Sequence, residues 1–573
     1  MEEADLIVIG TGWYGLAAAK AYIELHPDEE IIVLDSAASI GGVWSNERLY
    51  PGLKSNNMLG TYEFSDFPMD TVTFGVEPGE HIPGAVLHQY LTSFAKKFGI
   101  FSRTRFNTRV ESAEENLKTG NWTLNTRNTL TGEDLVLHTK KLIVATGLTS
   151  EPYVPTFVGE TDFNAPIFHS KDFRERADTL ETTRNVAVLG GAKSMWDAAY
   201  AYASAGVSVD MIIRESGRGP VWMAPPYVTP LRKWLEKLVH TRFLTWLSPC
   251  IWGDEDGYGA VRRFLHGTWL GRKIVDTFWG ILGSDAIDLM EFSKHPETKK
   301  LTPWHSAFWI GSGLSIRNFP TDFFDYIRNG QVRVHIADVT HLADKTVHLS
   351  SGETIKADAL FCATGWKSRP PMTFLPTGRL SELGVPYYTA KPDPLVLEAD
   401  SLILNQFPRL QNQPNVPKSL RNETKDVDAP NQPFQLYRFI APPATMGKRN
   451  IAFAGMVSTI STSICAQAQA LWISAYFDAK LDRLPTAEQA RWITTLHARF
   501  GRWRYPCGYG ARLPDFVFDA VPYLDMLLKD VGLQSHRKSG RIAEWTDPYG
   551  PEDYKGLTKE WVQKHGLDHG VSE

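Results

Sequence analysis

The chain carries one pattern of apolar and polar positions twice: an apolar run, a glycine-rich turn, and then small and apolar residues with few charges. The first copy reads LIVIGTGWYGLAAAKAY at residues 6–22, and the second reads VAVLGGAKSMWDAAYAYASAG at residues 186–206. A short apolar run before a turn indicates a buried strand, and small residues after it indicate a helix packed closely on that strand. We therefore predict two strand–turn–helix units, each beginning a parallel sheet.

Two further apolar runs end in the same tripeptide, ATG. They read KLIVATGLTSEPYVP and ADALFCATGWKSRP, and each follows one of the glycine turns along the chain. Small residues at the end of a parallel strand let the chain leave the sheet while passing close to a bound ligand. The pattern makes Ala145, Gly147 and Gly365 candidate binding residues.

Two long stretches do not follow this pattern. Residues 241–283 are rich in Trp and Phe, but charges interrupt them before they reach the roughly 18 apolar residues that span a bilayer. They predict a helical subdomain that packs internally, covers a substrate entrance, or makes peripheral contact with a membrane surface.

Residues 405–450 are rich in Pro, Asn and Gln and predict a long irregular loop.

Composition excludes several classes of partner. The net charge of -5 gives no general attraction to nucleic acid or to an anionic membrane. The four cysteines are scattered without metal-type spacing, so we predict neither a metal site nor a disulfide framework. The N-terminus, MEEADLIVIG, is acidic and starts a strand at once, which predicts no export and a cytoplasmic location. The oligomeric state is not indicated.

The first turn has the chemistry of a dinucleotide site. Gly10 suits the tight turn, Gly12 the close approach of a pyrophosphate, and Gly15 the close packing of helix on strand. The N-terminus of the helix faces the anion. EIIVLD follows as a second strand and ends in Asp35, at the distance where a carboxylate accepts hydrogen bonds from a ribose.

The second turn repeats this offset with the opposite charge. Its second strand, VSVDMIIR, ends in Arg214, 24 positions after Gly190. A guanidinium there suits a ribose that carries a 2′-phosphate, which predicts NADPH at this turn. Lys193 is a candidate second cation, and Ser194 supplies an extra hydroxyl donor.

The second turn also departs from the glycine pattern. Ala192 and Met195 stand where the first turn has its second and third glycines. A methyl group hinders phosphate approach slightly, and a methionine crowds the helix against its strand, with overpacking costing about 1 to 3 kcal/mol. We interpret the site as modified, and we expect it to hold its cofactor loosely.

These units predict the domain organisation, because 573 residues are too many for one core. The predicted fold class is α/β with two doubly wound dinucleotide-binding domains, the second inserted in the first. The predicted segments are a first part of the first domain at 1–160, a second domain at 161–359 with a helical aromatic-rich insert at about 216–310, the rest of the first domain at 360–500, and a tail at 501–573 that wraps the surface.

Several motifs together resemble one family, the flavin-containing monooxygenases of class B, which include Baeyer–Villiger enzymes. The likeness covers roughly residues 1–215 and 345–480. Within FNAPIFHSKDF, His169 matches the family pattern and Ala165 replaces a glycine; the resemblance gives this histidine no acid or base role. The motifs are GTGWYG (10–15), GGVW (41–44), YPGLKSN (50–56), FSDFP (64–68), FNAPIFHSKDF (163–173), NIAFAGMV (450–457) and AQAQALW (466–472).

The resemblance implies cofactors and further site residues. It implies FAD at the first turn, NADPH at the second, and oxygen as co-substrate, with a flavin peroxide as the oxygenating species. It places Trp44 and Asn56 near the flavin ring and the backbone of Val110 against adenine. Gly42 and Gly455, in their glycine motifs, are also implied cofactor-binding residues.

Asn56 bears on the type of oxygenation. Baeyer–Villiger relatives typically have aspartate at this position, whereas the heteroatom-oxidising branch has asparagine. An amide both donates and accepts, so Asn56 is our candidate catalytic residue, supporting a protonated, electrophilic flavin peroxide without adding negative charge. An asparagine in a loop also has an ordinary role as a turn residue.

Three functions stay open at this point. The first, which we predict, is an FAD- and NADPH-dependent monooxygenase acting on a small hydrophobic metabolite, as in fungal-type secondary metabolism. The second is a flavoprotein of the same fold that performs Baeyer–Villiger insertion or plain oxidation. The third is a catalytically silent protein that keeps FAD as a structural core. No catalytic triad or metal cluster is apparent, as expected where cofactors carry the chemistry.

Overall fold

The computed structural model describes residues 2–229, 233–391, 393–417 and 429–566. Its first sheet has eight strands, with the first glycine turn at the carboxyl end of a central strand. All pairings are parallel except two antiparallel ones made by Trp122–Asn128. In spatial order the strands are Thr373–Leu375, Thr108–Glu115, Trp122–Asn128, Asp134–Val144, Glu2–Ile9, Ile31–Leu34 and Thr104–Arg105, with Ile451–Phe453 also paired to Asp134–Val144.

The second sheet has five strands, all parallel, and the second glycine turn follows its central strand. The first sheet takes its strands from residues 2–144, 373–375 and 451–453, and the second sheet takes its strands from residues 167–363, which lie between them along the chain. The predicted α/β class with two doubly wound sheets is therefore confirmed. The domain boundaries themselves remain predictions, although one strand of the second sheet crosses the boundary expected at 359. In spatial order the strands are Val332–Ile336, Ser208–Ile213, Asn185–Gly190, Ala359–Ala363 and Ile167–His169.

Smaller sheets and helices complete the described structure. The minor sheets pair Lys54–Met58 with His81–Pro83, Trp222–Ala224 with Leu314–Ile316, Tyr227–Val228 with Lys233–Trp234, and Val339–Ala343 with Thr346–Leu349 and Thr354–Lys356. The α-helices are Trp13–Leu25, Thr71–Phe74, Gly84–Lys97, Thr179–Thr182, Lys193–Ser204, Leu235–Val239, Arg242–Thr245, Gly259–Gly267, Trp269–Met290, Pro296–Lys299, Phe323–Arg328, Leu395–Gln406, Thr462–Phe477, Ala487–Arg504, Ala520–Asp530, Arg541–Thr546 and Leu557–His565.

The insert is helical, as predicted, and most of its aromatic side chains are packed internally. Trp252 and Trp279 are buried in the same hydrophobic cluster as the helix of the first glycine turn. The long helix Trp269–Met290 keeps part of its apolar surface in solvent, including Trp269 and Leu270. No helix among the described residues is long and apolar enough to cross a membrane.

The C-terminal tail does not wrap the surface, so that expectation was wrong. Its helix Ala520–Asp530 is buried along nearly its whole length. The sequence pattern misled because the helix carries aspartates, which suggest a solvated face. Asp525 instead pairs with buried Arg242 of the insert, and Asp530 pairs with Arg438 at 2.7 Å. Charges paired in the interior remove the amphipathic signal on which the prediction depended.

The long loop is irregular where it is described. It contains the end of helix Leu395–Gln406 and two short 3-10 turns, Pro408–Gln411 and Pro443–Lys448. Residues 418–428 of this predicted loop lie outside the described residues. A surface cleft between the loop and the helix Trp269–Met290 is lined mainly by charged side chains, and it contains none of the predicted site residues.

Candidate active site

The first glycine turn has the geometry of a phosphate cradle. Gly10 has φ +109°, a conformation that side chains disfavour, and a Cβ on Gly15 would collide with its carbonyl oxygen. A Cβ on Gly42 would lie 3.0 Å from the Gly12 Cα. The helix starts at Trp13 with no side-chain cap and no acidic residue in its first turn. Its N–H groups are therefore available to an anion, and the cradle fits a pyrophosphate.

Asp35 stands one residue beyond the strand Ile31–Leu34, as predicted from the spacing. Its Oδ2 accepts hydrogen bonds from the backbone N–H (2.8 Å) and hydroxyl (2.5 Å) of Thr11, and its Oδ1 accepts from the Ala37 N–H at 2.9 Å. Burial raises the pKa of Asp35, and these hydrogen bonds oppose that rise. The carboxylate is thus fixed beside the turn and keeps lone pairs for ribose hydroxyls.

Other predicted residues meet at this edge of the sheet. The Ala145 N–H donates to the Ile9 carbonyl at 2.8 Å, which places the first ATG tripeptide beside the glycine turn. Gly455 packs against Tyr14, where a Cβ would approach the ring to 2.5 Å. Gly147 has φ +68° and open space where a Cβ would stand. Val110 is buried in the neighbouring strand Thr108–Glu115.

The second turn accommodates both of its departures from glycine. Ala192 has φ −96°, which any residue adopts, and it is exposed. Met195 is fully buried in the hydrophobic cluster of the second sheet. Gly190 must be glycine, because a Cβ would lie 2.6 Å from the Ala363 carbonyl oxygen. Ser194 lies half-buried in the first turn of the helix, whose N-terminus has no side-chain cap.

The two cations predicted at the second turn have different surroundings. Arg214 is exposed and directly follows the strand Ser208–Ile213. Lys193 instead donates to the side chain of Asn318 at 2.8 Å and forms an ion pair with Asp197. Lys193 is therefore engaged by Asn318 and Asp197, whereas Arg214 is exposed at the end of its strand, as a contact to a 2′-phosphate requires.

Two further arginines lie near Arg214, and sequence reasoning missed both. The Arg218 guanidinium lies 4.3 Å above the Tyr509 ring. Burial, followed by the charges of Arg218 and Arg214, lowers the pKa of Arg512. Arg218 could have been found from its place four residues after Arg214, whereas Arg512 comes from a distant part of the chain and gave no local signal.

Asn56 lies on the strand Lys54–Met58, which we call the asparagine strand. Its side chain is exposed, and its Oδ1 accepts a hydrogen bond from the Ser315 hydroxyl at 3.2 Å. The next residue, Asn57, donates to the carboxylate of Glu236 in the insert. Asn318 donates to the Ser55 carbonyl at 2.9 Å. Three side chains from distant parts of the chain, those of Glu236, Ser315 and Asn318, therefore hold this strand.

Trp44 and Gly365 are the remaining predicted cofactor-binding residues. The half-buried Trp44 indole N–H donates to the Tyr62 hydroxyl at 3.2 Å. Gly365 has φ +89° with open space at its Cβ position, and the next residue, Trp366, stacks under the Arg48 guanidinium at 4.8 Å. Burial lowers the pKa of His169, which packs edge-on against Trp366. A neutral packed histidine agrees with the absence of any assigned acid or base role.

Together, two doubly wound sheets, each with a glycine turn at the carboxyl end of a central strand, define a protein with two dinucleotide-binding domains. A family model described as pyridine nucleotide-disulphide oxidoreductase matches residues 7–243. The chain is 37% identical to FAD-dependent monooxygenase resA of Aspergillus sclerotiorum, over 97% of this chain and 98% of that protein. It is 31% identical to FAD-dependent monooxygenase DEP4 of Alternaria brassicicola, over 98% and 95%. The chain belongs to the FAD-dependent monooxygenases.

Solved structures support the same fold. An open crystal structure of cyclohexanone monooxygenase matches with a TM-score of 0.58 at 16% identity, covering 99% of each chain. An oxidised steroid monooxygenase bound to NADP matches with a TM-score of 0.55 at 14% identity, covering 99% of this chain and 98% of that one. The predicted family, the enzyme class and FAD are confirmed by these relatives. NADPH at the second turn stays a prediction. The residue assignments within the two sites remain predictions.

Proposed function

We propose that this protein is an NADPH-driven monooxygenase that oxygenates a small hydrophobic metabolite in secondary metabolism. The observation that carries the proposal is the asparagine strand, which is held from the side of the second turn by Asn318, itself bonded to Lys193. This arrangement suits a reaction in which a reductant at one turn must meet a flavin bound at the other.

Residues at the first turn bind FAD, and residues at the second turn bind NADPH. The first turn, Gly42 and Asp35 hold the pyrophosphate and ribose of FAD, with Trp44 and Asn56 towards the flavin ring. Gly190, Ser194 and Arg214 hold NADPH. When bound, FAD supplies the oxygen-activating chemistry, and the protein contributes orientation and exclusion of water. The Arg214 side chain distinguishes a 2′-phosphate from a free hydroxyl.

Asn56 is the residue that we propose faces the reacting part of the flavin. Its amide is exposed on the strand, and the Ser315 hydroxyl fixes its oxygen by donating to it. This leaves the amide N–H groups to donate to a neighbouring oxygen atom without adding negative charge. We propose that the arrangement favours electrophilic transfer to a soft nucleophile, such as an amine, a sulfide or an electron-rich carbon.

Baeyer–Villiger insertion is the second candidate. The cyclohexanone monooxygenase structures share the fold, but at 16% identity this likeness concerns the fold alone. A charged residue at position 56 would support the anionic oxygen species that attacks ketones, and the neutral Asn56 favours the first candidate. Screening a ketone panel beside an amine and sulfide panel separates the two by product mass and position of oxygen.

The testing experiment is stopped-flow absorbance. The protein is reduced with NADPH without oxygen, mixed with oxygenated buffer, and followed through the flavin bands without substrate. We expect rapid reduction and then a long-lived near-ultraviolet absorbance before the oxidised spectrum returns. Negligible reduction by NADPH, or direct return to oxidised flavin, would exclude the proposal and favour an oxidase or a separate reductase.

A further inference from the structure

A buried carboxyl group lies beneath the asparagine strand, and the reaction as described does not use it. Glu236 belongs to the short helix Leu235–Val239 of the insert, and its side chain is buried. Its Oε1 accepts a hydrogen bond from the Asn57 amide, and its Oε2 lies 3.5 Å from the Met58 N–H. The carboxyl group therefore contacts the two residues that directly follow Asn56.

Among the described residues, no cation forms an ion pair with this carboxyl group. Lys237, the cation that influences it, extends over the Trp234 ring at 4.8 Å. On the opposing loop, Tyr62 and Thr61 are uncharged, and burial raises the pKa of Tyr62 further. Burial lowers the pKa of His240, one turn along the helix, to about 4, so this histidine is neutral at physiological pH.

The hydrogen bonds around Glu236 favour its ionised state. The carboxylate accepts from the Asn57 amide, which also donates to the Ile460 carbonyl at 3.2 Å. The Thr61 hydroxyl, which donates to the Met58 carbonyl at 2.8 Å, also contacts the carboxyl group and, like Asn57, lowers its pKa. A proton on Glu236 removes the charge that strengthens these hydrogen bonds, so gain of a proton weakens the hold of Glu236 on Asn57.

We propose that Glu236 is a positioning residue whose proton sets the hydrogen bonding of Asn57 and, through the adjoining backbone, the position of Asn56 at the flavin. The inference rests on the proposed function in one respect, that Asn56 lies beside the flavin ring. Glu236 transfers no proton to substrate. Its ionised form holds the asparagine strand towards the insert, and its neutral form releases that hold.

The expected titration lies in the physiological range. Burial raises the pKa of Glu236 to about 7. Below that pH the folded protein holds the proton, and above it the carboxylate binds Asn57. We expect the absorbance of bound, oxidised FAD to pass through one pH-dependent transition as Asn56 changes position.

The experiment is a pH titration of the FAD absorbance in the purified, FAD-loaded protein, from about pH 5.5 to 8.5. Glu236→Gln keeps the size and polarity of the side chain and cannot ionise, so its spectrum should not change over this range. Glu236→Asp should restore a transition with a displaced midpoint. The control is Glu24→Gln, a carboxyl group with a raised pKa on the first helix, bonded to Lys20, and it should behave as the wild type.

Asn57→Ala provides a second test if Glu236→Gln folds poorly. Removing the amide donor takes away the hydrogen bond through which Glu236 acts on Asn56, so the amplitude of the FAD transition should fall. Any remaining transition should lie at higher pH, because the same hydrogen bond lowers the pKa of Glu236. Persistence of the wild-type transition in Glu236→Gln, or a transition of wild-type amplitude and midpoint in Asn57→Ala, would overturn the inference, as would a flat wild-type titration.

The thermal stability of the variants separates this inference from the proposed function. A carboxyl group with a raised pKa destabilises the fold as pH rises from about 4.3, where exposed glutamates ionise, to about 7. Wild type should lose melting temperature across this window more steeply than Glu236→Gln. Neither readout uses NADPH or oxygen. Absence of monooxygenation with an intact titration would refute the proposed function alone, and normal oxygenation with a flat titration would refute this inference alone.

Discussion

The glycines of the first turn are required for two different reasons. Gly10 and Gly15 are required by the protein itself, since one has a left-handed φ and the other packs against a carbonyl oxygen. Gly12 is different, because a Cβ there would have only Gly42 within 4 Å, at an ordinary distance of 3.8 Å. Its small size serves the ligand and not the fold, which allows cofactor binding to be changed without unfolding the chain.

Gly12→Val should therefore abolish FAD retention and leave the fold intact. A branched side chain would project into the approach of the pyrophosphate between Gly12 and Gly42. The measurement is the ratio of flavin to protein absorbance after gel filtration, beside circular dichroism. Gly280→Ala, on an exposed helical face with no neighbour near its Cβ, is the control. A yellow, fully loaded Gly12→Val protein would contradict the assignment.

Arg214→Ala should weaken NADPH much more than NADH. Loss of a charge-assisted contact to the 2′-phosphate costs about 1.5 to 3 kcal/mol, and NADH has no such phosphate. Binding titrations with both coenzymes measure the difference. The control is Arg328→Ala, whose guanidinium pairs with Asp322 and Asp325 on another surface. Equal losses for both coenzymes would exclude the role of Arg214.

At the scale of elements, local signals in the sequence were sufficient to predict the two glycine turns. They were insufficient to predict which distant side chains contact the asparagine strand. The glycine turns could be predicted because the spacing of the glycines between an apolar run and a helix is a local feature of the sequence, although Gly190 itself packs against the distant Ala363. The residues that hold the asparagine strand could not, because Glu236, Ser315 and Asn318 stand about 180 to 260 positions away from it. The insert was correctly predicted as helical, yet its sequence did not indicate that the C-terminal helix would pack against it.

Asp525→Ala should destabilise the protein strongly, because the insert and the C-terminal helix meet through a buried ion network. Asp525 and Arg242 are both fully buried, and Arg242 also donates to Glu544 at 2.8 Å. Removing Asp525 leaves buried Arg242 only partly compensated by Glu544, so we expect a loss of about 3 kcal/mol, at the lower end of the range for a broken buried ion pair. Urea unfolding measures the loss. Asp482→Ala, which breaks a surface pair with Lys564, should cost no more than about 1 kcal/mol.

At the scale of the whole molecule, the two sheets must hold two cofactors in register. One hydrogen-bonded path links the second turn to the asparagine strand: Lys193 donates to Asn318, which donates to the Ser55 carbonyl beside Asn56. Tyr50 adds a second contact by donating to Asp197 at 3.0 Å. Neither contact uses a residue that we propose binds a cofactor, so both act on the relative position of the cofactors more than on the affinity for either.

Asn318→Ala should consequently slow reduction of the flavin by NADPH by about 10- to 100-fold, since misplacement of reacting groups by about 1 Å has effects of this size. FAD content and the Kd for NADPH should remain close to wild type. Anaerobic stopped-flow measures reduction, and coenzyme titration measures affinity. Tyr200→Phe, which removes a bond to Thr321 elsewhere on the second domain, is the control. If Asn318→Ala lowered coenzyme affinity and left the reduction rate at saturation unchanged, Asn318 would serve binding, and the register of the two sheets would depend on other contacts.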